Sequence, residues 1–342
     1  MKQPTQLLAM SSLIGSFALI TGVATVMQTD LGANGATPIG GLYQRSVEAR
    51  FSDNIPFRDL SIHSWNAVKL GLFGQPSEGA FIADSGRMFT TEELVEPQSQ
   101  FDLHTELLAA KSTLDAHGVT LIPVIVPDKA RIYANDLGFE RTENLVARYT
   151  QIQRTVDASG LKAVDLRDSL FMGQFDHDVF MWTDTHWSPY GARLAAQEVA
   201  RHIDSFELDR TEFRTSADPA IAFEGDLVSF AETGPFREWV GPVAETIVPY
   251  QTDATELSSD LFADIEVPIA LIGTSFSART EFNFEGFLKQ ATGLDLINYA
   301  QSGHGPFKPM RDFLSSDALM VSPPQIVVWE IPERYIPVKD PS

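Results

Sequence analysis

A series of short apolar runs separated by helical stretches constrains the fold of this 342-residue chain more than any other feature. The runs lie at 119–126, 163–166, 267–272, 294–300 and 325–331. They are strand-length and rich in Val, Ile and Leu, the make-up of strands covered on both faces. Between them, 103–117, 144–158 and 189–203 space their apolar residues as helices do, and the later runs also leave room for helices. Strands alternating with helices predict an α/β fold: a central, mostly parallel sheet between two helical layers.

The rest of the chain is organised around that pattern. Residues 42–73 read as a mixed helical region. A hairpin-like stretch follows at 79–89, where apolar runs flank a polar Asp84-Ser85-Gly86-Arg87 turn. Residues 204–262 are acidic and read as an irregular excursion, and no internal repeat is present. No charged residue falls between Lys2 and Asp30, and 7–27 is mostly apolar. A run of about 20 such residues suits a signal peptide or a single membrane span. Gly22-Val23-Ala24 offers a small-residue cleavage site, while Gly15, Ser16, Thr21 and Gly22 argue against a buried helix. The expected division is a signal peptide or anchor at 1–29, a Gly-rich linker at 30–41 and one folded domain at 42–342.

Composition sets limits on function. An apolar share of 44% with 21% charged residues belongs to a folded chain, not a disordered one. The net charge of -21 excludes nucleic acid as a partner, since phosphate binding runs on Lys and Arg. It also opposes a polyanionic substrate unless a local basic groove breaks the field, although acidity can equally serve a solvated surface. The absence of cysteine rules out disulfides, thiolate zinc sites and thiol catalysis. The apolar N-terminus therefore carries the case for export.

Two segments carry the chemistry. Trp182-Thr183-Asp184-Thr185-His186-Trp187-Ser188-Pro189-Tyr190-Gly191 sets a carboxylate two residues before an imidazole. A helix should follow, capped by Ser188 with Pro189 in its first turn. This spacing lets Asp184 reach the His186 ring and fix its tautomer, with Trp182 and Trp187 placed to exclude water. The second segment, Pro268 to Ser277, is an apolar run ending in Gly273-Thr274-Ser275. Ser275 would sit just past a strand's C-terminal end, where open α/β sheets bind ligands. Gly273 permits a tight turn, and a helix starting there would offer free amides to an oxyanion. Both segments also fit plain capping, by Asp184 or Ser188 in one and by Ser275 or Ser277 in the other. Together they supply the nucleophile, base and orienting acid of acyl transfer through serine. No metal or cofactor is expected, because none of the seven histidines stands at ligand spacing from another.

The Thr-Asp-Thr-His-Trp-Ser-Pro-Tyr-Gly-Ala stretch from Thr183, followed far downstream by Gly-Thr-Ser-Phe-Ser, resembles the alginate O-acetyltransferase family, the AlgJ/AlgX group. Val126-Pro127-Asp128-Lys129 with Tyr133, Gly225-Asp226-Leu227 and Val328 to Tyr335 agree with it, so the resemblance spans about residues 51–337. It implies an SGNH-hydrolase-like fold in which acid and base precede the nucleophile, a permuted order. It implies Ser275 as nucleophile, His186 as base, Asp184 as its partner and Gly303 as an oxyanion donor beside the Ser275 amide. The usual SGNH oxyanion asparagine has no match, and Glu333 and Arg334 stand in its region. Arg334 is thus a further oxyanion candidate, or else a partner of an acidic neighbour. The short stretch after the last strand resembles single-domain members without a carbohydrate-binding module. The implied activity is O-acetylation of an exported polysaccharide in the periplasm, with a membrane-bound acyltransferase as donor. A carbohydrate esterase with the same residues and a non-catalytic assembly protein are the alternatives.

Overall fold

The computed structural model describes residues 20–29, 42–56, 58–96, 102–255 and 267–336. The chain divides into two compact units, one of residues 1–73 with 232–241 and one of 74–231 with 242–342. The helical region at 42–73 resolves into helices Leu42–Asp53 and Arg58–Phe73, both in the first unit. There Asn66 Nδ2 donates to the Glu232 carbonyl at 3.0 Å. Of the apolar run at 7–27, only 20–27 is described, and it is helical; its remainder and the 30–41 linker lie outside the described residues. No helix among the described residues is long and apolar enough to cross a membrane.

The second unit carries the sheets. Its strands are β1 (Ala80–Ile82), β2 (Met88–Thr90), β3 (Thr120–Val126), β4 (Val164–Asp165), β5 (Phe213–Ala217) and β6 (Ile221–Phe223). Then come β7 (Glu245–Ile247), β8 (Tyr250–Ala254), β9 (Ile269–Ile272), β10 (Leu296–Asn298) and β11 (Ile326–Pro332). A five-stranded parallel sheet runs in the order β10-β9-β11-β3-β4, and β1 and β2 form the expected antiparallel hairpin.

Side chains alternate across a strand, so each apolar run feeds two cores. On β11, Ile326 and Val328 enter one core, and Val327, Trp329 and Ile331 the other. On β9, Ile269 and Leu271 part in the same way from Ala270 and Ile272. The first core takes in Ala192, Ala196 and Val199 of helix Pro189–Ile203 and Phe284, Phe287 and Leu288 of helix Phe284–Thr292. The second takes in Leu107 and Leu114 of helix Leu103–Asp115, Tyr149 and Ile152 of Glu143–Ala158, and Met310 of Phe307–Leu314. This is the three-layer arrangement that the runs predict.

The described part of the 204–262 excursion, 204–255, consists of loops and short elements. β5 pairs with β8 and β6 with β7, both antiparallel, while 256–262 lies outside the described residues. The β5–β8 ladder matches Thr215 with Thr252, whose hydroxyls are 2.8 Å apart. This polar pair interrupts the apolar alternation of Phe213 and Ala217 with Ala254 and Tyr250, which weakens the strand signal in the sequence.

Candidate active site

β9 runs directly into the short helix Ser275–Ala278. The helix is capped by Thr274, whose Oγ1 accepts from the Phe276 amide at 3.3 Å, so neither Ser275 nor Ser277 is used as the cap. Ser275 is half-buried, and its Oγ lies 2.6 Å from His186 Nε2. Gly273 is needed because a Cβ there would lie 2.4 Å from Glu330 Oε2. That carboxylate, on β11, accepts from the Thr274 amide at 2.7 Å and from the Ser277 hydroxyl at 3.1 Å. Glu330 is fully buried, and burial pushes its carboxyl up to about 7, against the lowering by Thr274, Ser277 and Arg334.

The acid and base come from a segment that folds back on itself. Met181 donates its amide to the His186 carbonyl at 3.1 Å and Ser188 donates to Val179 at 2.9 Å. Ser188 then caps helix Pro189–Ile203, accepting from the Gly191 amide at 3.1 Å. Asp184 is fully buried, and its Oδ1 accepts from both the amide of His186, at 2.9 Å, and its Nδ1, at 2.5 Å. With Nδ1 as the donor, Nε2 is free to accept from the Ser275 hydroxyl. Asp184 Oδ2 accepts from the Asp226 amide at 2.9 Å and from Arg279 Nη1 at 3.0 Å. Burial alone would raise Asp184. The His186 hydrogen bond and charge, the Arg279 charge and the Asp226 amide outweigh it and hold the carboxyl well below the usual carboxylate range.

The surrounding groups fix this geometry. The His186 ring lies at 22° to Phe282 with centroids 5.5 Å apart, and 4.7 Å from Phe276. Trp187 is fully buried against Phe276 and Phe284. Trp182 faces elsewhere: its ring takes the Arg87 guanidinium at 4.4 Å and its Nε1 donates to Asp178 at 2.7 Å. The shield expected from two tryptophans is thus built from Phe276 and Phe282, with Trp187 behind them. Lys129, buried among carbonyls, donates Nζ to Met88, Trp182 and Asp184 at 2.5, 3.1 and 2.9 Å. Burial, then Arg87, pulls its ammonium down to about 7 against the acidic groups nearby. Glu245 takes the amides of Trp182 and Thr183 at 2.6 and 3.0 Å, and Asp226 takes the Thr185 amide at 2.9 Å.

Asp184, His186 and Asp226 bring one ligand atom each within 4.8 Å of one another, a grouping that resembles a metal site. The Arg279 guanidinium already lies on Asp184 and 3.4 Å from His186 Nδ1, so the chain supplies the positive charge there itself. Gly303 lies in an exposed turn at φ 79°, after Gln301 has donated its amide to Gly273 at 3.0 Å. Arg334 is buried; its guanidinium lies 5.3 Å from the Phe276 ring centroid and 3.6 Å from Glu92 Oε2. A cleft of about 720 Å³ beside Trp182, Tyr190 and Tyr250 is lined by neither Ser275 nor His186.

Arg279, Phe282 and Glu330 were not singled out from the sequence. Arg279 stands four residues after Ser275, one helical turn on, and Glu330 is an acid inside an apolar run; both signals are visible in retrospect.

Comparison with known proteins identifies the family. Residues 82–333 match the family described as "SGNH hydrolase-like domain, acetyltransferase AlgX". "Probable alginate O-acetylase AlgJ" of Pseudomonas putida is 35% identical over 316 residues, covering 89% of this chain and 82% of the relative. The solved O-acetyltransferase domain of Pseudomonas putida AlgJ superposes with a TM-score of 0.69 at 32% identity, covering 78% of this chain and 94% of that one. Pseudomonas aeruginosa AlgX gives a TM-score of 0.63 at 25% identity, covering 74% of this chain and 62% of that one. A five-stranded parallel sheet between helical layers, with this match over most of its length, places the chain in the SGNH hydrolase-like acetyltransferase family of AlgJ and AlgX.

Proposed function

We propose that the chain transfers acetyl groups to hydroxyls of an exported polysaccharide of the alginate type, through an acetyl-serine on Ser275. The observation that carries this reading is the unbroken relay of Asp184 Oδ1 to His186 Nδ1 at 2.5 Å and His186 Nε2 to Ser275 Oγ at 2.6 Å. His186 takes the Ser275 hydroxyl proton as its oxygen attacks the acetyl carbonyl of the donor. The tetrahedral oxyanion collapses, expelling the donor's leaving group, which takes the proton from His186. A sugar hydroxyl then gives its proton to His186 and attacks the acetyl-serine, and Ser275 leaves with that proton. Asp184 holds the ring and stabilises the imidazolium in both halves.

The first amides of a helix have no partner within it. Those of Thr274 and Phe276 are taken by Glu330 and by Thr274 Oγ1, which leaves the Ser275 amide for the oxyanion, with Gly303 as second donor. Arg334 belongs with the acidic side chains Glu92 and Glu93 in this scheme rather than with the oxyanion. The uncharged run before Asp30 supports export to the periplasm, with 7–27 associating with the inner membrane and a membrane-bound acyltransferase delivering the acetyl group. The names of the AlgJ relatives support alginate as the acceptor.

The test incubates the protein with a chromogenic acetyl ester and a panel of uronate and neutral oligosaccharides, followed by mass spectrometry. One acetyl gained by a sugar, and lost in Ser275→Ala, is the expected result. Acetate release without a sugar product would move the chain to the esterases, and turnover that survives in Ser275→Ala would remove the serine mechanism.

A further inference from the structure

Glu330 is an anomaly of placement. It lies on β11, the middle strand of the parallel sheet, between Trp329 and Ile331, and all three are fully buried. Withdrawing a carboxylate from water costs several kcal/mol unless donors surround it. A Val or Leu at this position would pack without that cost. The donors are therefore the reason for the acid, and all of them come from one place. The Thr274 amide donates to Oε2 at 2.7 Å, the Thr274 hydroxyl lies 3.0 and 3.1 Å from the two oxygens, and the Ser277 hydroxyl donates at 3.1 Å. Thr274 and Ser277 are themselves buried and flank Ser275.

The register explains how one carboxylate reaches all three donors. β11 pairs with β9 up to Trp329 opposite Ile272, so the next pair in line is Glu330 and Gly273. Gly273 has no side chain, and the carboxylate fills the space that a Cβ would need. The turn cannot slide along the sheet without breaking these bonds. Thr274 Oγ1 also accepts from the Phe276 amide, so the clamp extends into the first turn of the helix that bears Ser275.

We infer that Glu330 is a positioning residue for the nucleophile, clamping the 274–277 turn from the neighbouring strand and so setting where the Ser275 hydroxyl meets His186. The inference rests on Ser275 being the nucleophile, as proposed above. In the ionised form both oxygens are free to accept, Oε2 from the Thr274 amide and the Ser277 hydroxyl and Oε1 from the Thr274 hydroxyl. Protonation of Oε1 makes that oxygen a donor, so the Thr274 hydroxyl 3.0 Å away can no longer donate to it. The turn itself presents no charge to the carboxyl, only hydroxyls and an amide, and Arg334 is the charged group whose field reaches it. Because burial raises this carboxyl to about 7, the clamp tightens as pH rises through neutrality.

The test compares Glu330→Gln, Thr274→Val, Thr274→Ser and Ser275→Ala in the full chain. Turnover of an acetyl ester is followed as kcat and KM against pH, alongside the rate at which a sulfonyl fluoride labels Ser275. Displacing a catalytic group by about 1 Å costs on the order of 100-fold. Glu330→Gln is expected to lower kcat and the labelling rate together by about that factor with KM unchanged, and to remove one proton from the acid limb of the profile. Thr274→Ser should retain most of the activity that Thr274→Val loses, which holds even if Glu330→Gln folds poorly. A folded Glu330→Gln with wild-type kcat, labelling rate and pH profile overturns the inference. If Ser275→Ala is inactive in that same experiment, only the clamp falls; if Ser275→Ala turns over, the serine mechanism falls first.

Discussion

A buried carboxylate whose only partner is an imidazole tends to take up a proton, because nothing else offsets its lost hydration. At Asp184 the hydrogen bond and charge of His186 are joined by Arg279, whose Nη1 donates, with the Asp226 amide, to the oxygen that His186 leaves free. Arg279 follows Ser275 by four residues, so the same contact ties the nucleophile's turn to the acid. Arg279→Ala should therefore raise Asp184 toward its ordinary value of 3.8, lower kcat by about tenfold and cost about 1–2 kcal/mol of stability, with Arg279→Lys between the two. A pH–rate profile and urea unfolding check this. Glu330 shifts in the opposite direction. Its ordinary value is 4.5 and its folded value about 7, so between those limits the folded chain holds a proton that the unfolded chain has released. Stability must then fall as pH rises from about 4.5 to 7 and level off above, relative to Glu330→Gln, where no such group titrates. Melting temperatures of the two proteins across that window measure the difference, and parallel curves would show that Glu330 does not carry the shift.

At the scale of elements, the segment at 179–188 depends on what is packed around it more than on its own sequence. Lys129, Glu245 and Asp226 reach it from three separate parts of the chain. Gly225 permits the last of these contacts, since a Cβ there would lie 2.0 Å from the Thr183 carbonyl and 2.6 Å from the Asp184 amide. Both are backbone atoms that no rotamer change can clear. Gly225→Ala should push the 225–226 backbone off Asp184, costing about 1–3 kcal/mol and much of the activity; calorimetry with an ester assay tests it, and a wild-type melting temperature would refute the close approach. The elements also mark what a sequence can reveal. The sheet was legible because β3, β9 and β11 are apolar runs, and the Asp184–His186 pairing because two residues of separation suffice for it. Helix Pro189–Ile203 was legible to the residue, since Ser188 and Pro189 fix its start by local chemistry. The partners of Asp184 other than His186 were not legible, because Arg279 and Asp226 reach it only through tertiary packing. β5 and β8 escaped notice for a different reason: a threonine pair, Thr215 and Thr252, stands at the centre of the face that Phe213, Ala217, Tyr250 and Ala254 share, so the apolar period is broken in the middle of each short strand.

For the molecule as a whole, the acceptor proposed above poses an electrostatic problem. The chain carries a formal charge of -21, and a uronate polymer carries one negative charge per sugar. Two cations of the 279–289 stretch do little to offset this. Arg279 is held by Asp184 and Glu281, and Lys289 by Glu285 and Asp295, so each enters the field already neutralised by its neighbours. Like-charged partners approach each other against a barrier that salt screens, over a Debye length of about 10 Å at 0.1 M. Encounter with a polyanionic acceptor should therefore speed up as salt is added, while attack on a small neutral ester should not respond. The expected result is a kcat/KM for uronate oligosaccharides that rises severalfold between 0.01 and 0.3 M salt, roughly one Debye length of about 30 Å shrinking to under 10 Å, against a flat response for the ester. A fall with salt would instead mean that a local basic path guides the polymer in despite the overall charge. An equal, flat response for both would mean that the acidic surface does not act along the acceptor's path, and the repulsion argued here would fall.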